Sequence, residues 1–136
     1  MKTSAVIALL ALSGPALCEA ADCPLQGTWK SDAPRTLADI AANHAMSPRA
    51  MSALSDDFFG HMVHEWTCTE LRAGFDRDSP PDAVAYQVAE QSAESLLVTF
   101  PGEEEADLRL IWEGECYKIR FAERQYHEYF CPTELP

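Results

Sequence analysis

From His61 to the C-terminus, apolar and polar positions alternate with a period of two, the mark of half-buried strands. The pattern predicts strands at His61 to Thr67, Leu71 to Asp76, Ala83 to Glu90, Ser95 to Phe100, Ala106 to Trp112, Cys116 to Phe121 and Tyr126 to Cys131. A strand around Gly27-Thr28-Trp29-Lys30 makes eight. The breaks between them carry turn chemistry: Pro80-Pro81 within Arg77 to Asp82, Pro101-Gly102 ahead of Glu103-Glu104-Glu105, and Glu113-Gly114-Glu115. Short turns between successive strands imply antiparallel neighbours.

Between the first two strands the period changes to that of a helix. Thr36-Leu37-Ala38-Asp39 reads as a capping box, with Leu37, Ile40, Ala41 and His44 on one face. Ser47 caps a second helix that has Pro48 in its first turn and Met51, Leu54 and Phe58 along one stripe, with Gly60 as the stop. The pair spans Thr36 to Phe59, and its stripe is expected to pack on the domain's own core, a partner groove being the alternative.

Eight antiparallel strands on a small domain form an up-and-down barrel or a sandwich. The barrel is favoured because closure removes exposed edges and gives the helical pair an open end to cover. The expected fold is therefore mainly β, an eight-stranded antiparallel up-and-down barrel with a two-helix insertion between strands 1 and 2. In that order Cys23, Cys68, Cys116 and Cys131 gather at one end. A last hairpin looping through Ala122 to Gln125 sets Phe121 opposite Tyr126 and Cys116 opposite Cys131, which leaves Cys23 to pair with Cys68. The rival connectivity, Cys23 with Cys131 and Cys68 with Cys116, needs a bridge across the barrel floor.

Composition adds a compartment. Residues 1–20 read as a secretory signal peptide: Lys2 precedes an apolar run, Ala5 to Leu12, too short to span a membrane, and small residues at Cys18 and Ala20 suit cleavage after Ala20. Leu17 stands where lipidation of Cys18 wants a small residue. Residues 21–136 then form a single exported domain, periplasmic or extracellular, whose even cysteine count favours disulfides over metal ligation. The formal net charge of −12 disfavours nucleic acid and anionic membranes, and either serves solubility or speeds encounter with a cationic partner.

Gly27-Thr28-Trp29 on strand 1, followed by the strand meander, resembles the calycin superfamily of lipocalin-like small barrels. With Trp29-Lys30-Ser31-Asp32, Asp57-Phe58-Phe59-Gly60-His61, Cys116-Tyr117 and Glu128-Tyr129-Phe130, the chain is similar to small exported bacterial lipocalin-like proteins of uncharacterised function. It departs from the lipocalin pattern where two helices replace the lid loop and where strand 8 lacks an Arg to stack on Trp29, Arg124 lying in the preceding turn. The resemblance implies a binding scaffold, and a scaffold alone does not fix function.

Alternation places His64 inward with Met62 and Trp66, and Glu128 inward with Tyr126 and Phe130. Trp29, His64, Trp66 and Glu128 are thus the candidate ligand-binding residues, as a polar pocket, a latent acid/base pair or a satisfied buried hydrogen bond. His61 and His64 face opposite sides of their strand, which argues against zinc. No nucleophile elbow, phosphate-cradling Gly loop or basic aromatic patch occurs, so no catalytic residue, cofactor or metal is assigned. Glu103 to Glu105, with Asp76, Asp78 and Asp82, form acidic loops suited to a basic protein or simply to solvent. The expected function is that of an exported, non-enzymatic binding protein for a small ligand or a cationic protein, as an inhibitor or immunity-type partner. A small enzyme or carrier using an interior His/Glu pocket, and a structural envelope component, are the alternatives.

Overall fold

The computed structural model describes residues 23–43, 46–55, 58–102, 107–120 and 126–133. The signal peptide, Cys18, His44, Asp57, Glu103 to Glu105 and the loop with Arg124 lie outside the described residues. Strands β1 (Gly27–Ser31), β2 (Met62–Trp66), β3 (Glu70–Phe75), β4 (Val84–Ala85), β5 (Gln87–Gln91), β6 (Ser95–Thr99), β7 (Leu108–Glu113), β8 (Cys116–Ile119) and β9 (Glu128–Pro132) form a single antiparallel sheet. Helices α1 (Ala33–Asn43) and α2 (Pro48–Ser55) sit between β1 and β2. The sheet order is β4-β3-β2-β1-β9-β8-β7-β6-β5, so its outermost strands are consecutive in the chain and the sheet curls into a nearly closed barrel.

That order corrects the expected eight strands to nine. The run predicted as one strand, Ala83 to Glu90, is divided at Tyr86: Val84 and Ala85 pair with β3, and the segment from Gln87 pairs with β6. Tyr86 is buried at the break, its N–H donating to the Thr69 carbonyl and its hydroxyl to the Thr67 carbonyl at 2.6 Å. Alternation alone does not show the break, because the period of two runs through it.

The first helix is also capped differently. Asp32, not Thr36, is its N-cap, with Oδ1 accepting the Arg35 N–H at 3.0 Å. Thr36 lies fully buried on the helix, and its Oγ1 accepts the Tyr129 N–H of β9. Tyr129 alternates with the inward Glu128 and Phe130, and its hydroxyl donates to Asp39. Helix α1 therefore lies against the outside of β9, rather than covering an open end as expected. Ser47 does cap α2, through the Ala50 N–H. On the predicted stripe, Phe58 is half exposed and its neighbour Phe59 is buried instead, edge-on to Phe58 and Tyr126.

Two disulfide bridges form, Cys23–Cys68 and Cys116–Cys131, the second with Cys131 Sγ 3.6 Å from Asp32 at the start of α1. In the last hairpin Tyr117 faces Phe130 and Ile119 faces Glu128, a register that sets Cys116 against Cys131. Gly114 takes a positive φ of 63° in the two-residue turn between β7 and β8, a conformation glycine adopts without steric cost. Ahead of β1, the turn from Cys23 to Gln26 tucks Leu25 into the core.

Candidate functional site

The interior is built from the inward positions of β1, β2, β6, β7, β8 and β9. Trp29, Trp66, Leu96, Val98, Leu110, Tyr117, Ile119 and Phe130 form one buried cluster with Leu25, Leu71 and Tyr86. Two pairs of buried polar side chains are embedded among them.

The first centres on Tyr117. Its oxygen accepts the Trp66 indole N–H at 3.0 Å and lies 2.8 Å from His64 Nδ1. Indole is only a donor, so the single hydroxyl proton is left for His64, and full satisfaction makes Nδ1 an acceptor with the ring proton on Nε2. The His64 ring stacks on Phe130 with centroids 4.2 Å apart. Burial holds His64 neutral, with its pKa lowered to about 3, and pushes the Tyr117 phenol up. Neither group ionises near neutral pH.

The second pair lies toward the helices. Ser31 Oγ donates to Glu128 Oε2 at 2.6 Å and accepts the Gly60 N–H at 3.0 Å, with both side chains buried. Gly60 reaches this position with a φ of 95°, in the left-handed region that favours glycine. The hydroxyl thereby joins β1, β9 and the approach to β2.

The four residues singled out from the sequence thus share one interior, and each has a hydrogen-bond partner there. Trp29 donates its indole N–H to the Leu25 carbonyl at 2.8 Å and packs against Tyr117 and Trp112 at centroid distances of 4.7 and 6.0 Å. No Arg is needed at that position, because the aromatic rings cover the indole. His64 and Trp66 converge on Tyr117, while Glu128 takes Ser31. Tyr117 and Ser31 were absent from the predicted set, although both follow from alternation, two residues from Ile119 and from Trp29. Among the described residues no buried side-chain nitrogen or oxygen lacks a hydrogen-bond partner.

Trp29, His64, Tyr117 and Glu128 line none of four surface cavities formed by the described residues. Trp66 touches one and Ser31 another. Two lie on the outer wall of β2 and β3. A groove of about 170 Å³ runs between that wall and the loop after β3, with Val63, Phe75, Pro80 and Pro81 as its apolar surfaces. It shares Glu65 and Arg72 with a neighbouring cleft of about 390 Å³ that reaches Thr67 and Glu70.

The loop is seated closely. A Cβ on Gly74 would approach Pro81 Cδ to 2.8 Å, so only glycine admits the proline there, and Arg72 Nη1 donates to the Pro81 carbonyl at 2.9 Å. Beside the groove, Asp76 is bound by His61 and Lys30, both at 3.1 Å, and these contacts hold its carboxyl below the usual range. Arg77 donates to His61 Nε2 at 2.7 Å, which leaves the His61 proton on Nδ1, facing Asp76. His61 and His64 therefore serve opposite sides of the wall, and no three His, Cys, Asp or Glu side chains gather as metal ligands among the described residues.

The fold and interior define a disulfide-tied, nearly closed antiparallel barrel whose polar core groups are engaged with one another. At the level of fold this agrees with the expected antiparallel barrel. Comparison with known protein families, with curated proteins and with solved structures found no match to this chain. Among the described residues no helix is long and apolar enough to cross a membrane.

Proposed function

We propose that this chain is an exported binding protein that holds a cationic protein against its outer wall, in an inhibitor or immunity-type role. The observation that carries the proposal is the filled interior. Where a lipocalin-like barrel would hold a ligand, Trp29, Tyr117, His64 and Phe130 pack ring against ring. The polar side chains that would hold a small molecule already satisfy one another. Binding then falls to the exterior, where a net charge of −12 draws cations. The two disulfides suit an oxidising compartment, in keeping with export.

The test is binding to a panel of basic secreted proteins, lysozyme among them, measured by calorimetry at low and at physiological salt. At least one should bind, with affinity falling as salt rises. If none binds at either salt concentration, a cationic protein is not the partner.

A further inference from the structure

We infer that the double groove on the outer wall of β2 and β3 seats lysine or arginine side chains of that cationic partner, an inference that rests on the reading above. The groove has the two surfaces such a side chain needs. An aliphatic stem requires apolar walls, which Val63, Pro80, Pro81 and the half-exposed Phe75 provide. Phe75 is 51% exposed, and its neighbours in the groove leave it a face to offer a cation.

The charged head requires carboxylates that are not already engaged. Asp76 is excluded, since Lys30 and His61 hold it. Glu65, Glu70 and Asp78 are different: Glu65 lines both cavities, Asp78 the groove and Glu70 the cleft, and none has an ion-pair partner among the described residues, Arg72 facing Glu65 across the strands without a salt bridge. Arg72 is the cation that lines both cavities, and its guanidinium is turned to the Pro81 carbonyl. The lining therefore carries unpaired negative charge beside apolar surface, a combination that favours a basic, long-stemmed side chain over a purely apolar or an anionic occupant.

The groove is also built rather than incidental. Gly74 admits Pro81 against the strand, and the Arg72 hydrogen bond fixes the loop over it, so the walls are in place before a partner arrives. A wall already ordered loses less conformational entropy on binding. The volume of about 170 Å³ suits one or two side chains rather than a folded segment.

The experiment uses the oxidised full domain and an oligolysine peptide as probe, with affinity read by calorimetry. Glu65→Lys combined with Asp78→Lys is expected to weaken binding about tenfold or more. Glu94→Lys with Glu115→Lys changes the net charge equally from the β5–β6 and β7–β8 turns, and is expected to weaken binding far less. Phe75→Ser, which leaves the charge untouched, should also weaken binding, and near-ultraviolet circular dichroism checks that each variant stays folded. Equal losses in the two charge-reversed variants would overturn the groove and leave the cationic reading standing, because the general field alone would then account for binding. A parent that ignores oligolysine would also overturn the groove, while the panel of folded basic proteins decides the wider reading separately.

Discussion

The barrel closes in two places, and they are held in different ways. Where β1 meets β9, segments from opposite ends of the domain must find each other across a long stretch of chain. Three register pairs join them, flanked by the Asp32 N–H on the Tyr129 carbonyl and the Thr133 N–H on the Thr28 carbonyl. Ser31 and Glu128 are buried across that seam, and the Cys116–Cys131 bridge lies beside it. At the β4–β5 break the chain itself is continuous. There the wall thins to two pairs with β3, and every residue of β5 is exposed.

Buried polar groups are costly unless paired, and pairing them is geometrically demanding. They collect at the seam that must specify which strands meet. The continuous seam needs no such specification, and Tyr86 suffices to pin it. Its β-bulge between Val88 and Glu90 also blunts β5 as an exposed edge.

The largest expected effect concerns His64, on the strand that pairs with β1. Folded His64 stays neutral to about pH 3, whereas in the unfolded chain it takes a proton below about 6.5. The unfolded state then binds more protons across that window, so stability falls as pH falls from 6.5 toward 3, by about 1.4 kcal/mol per pH unit. Urea titrations between pH 6.5 and 5.5, where ordinary carboxylates stay almost wholly ionised, should show stability falling with pH. His64→Phe should flatten that dependence.

Ser31→Ala comes next. It removes the donor to Glu128 and the acceptor of the Gly60 N–H, at a cost of about 2 kcal/mol in chemical denaturation. Tyr86→Phe deletes one hydroxyl contact to the Thr67 carbonyl at the other seam, and should cost about 1 kcal/mol. The order of these two matters more than either value. Should Tyr86→Phe prove the costlier change, the seams are braced alike and the contrast drawn between them is lost.

The parts of this molecule legible in the sequence are those governed by strict alternation. His64 and Glu128 were placed inward because a strand turns successive side chains to opposite faces, and both are buried. The last hairpin could be registered by counting outward from its loop, and Tyr117 faces Phe130 accordingly. What escaped depends on tertiary contact. Thr36 has the local pattern of a cap, yet Asp32 four residues earlier wins because the chain leaves β1 there and turns directly into the helix. Tyr86 interrupts a strand without altering its period, since the interruption comes from the β2–β3 turn that receives its N–H and hydroxyl. The groove on β2 and β3 was invisible for the same reason: Gly74 and Pro81 are neighbours only once the loop folds back.

The two bridges also shape the chain when it is not folded. Cys23–Cys68 closes a loop that contains β1, both helices and β2, and Cys116–Cys131 closes another around β8 and β9. Between the two rings, a chain drawn out from its ends lengthens freely from Cys68 to Cys116, through β3 to β7. Trp29 and His64 travel in the first ring, and Tyr117, Glu128 and Phe130 in the second. The two halves of the interior therefore remain separate knots on one tether, and refolding brings together two small rings rather than five distant residues.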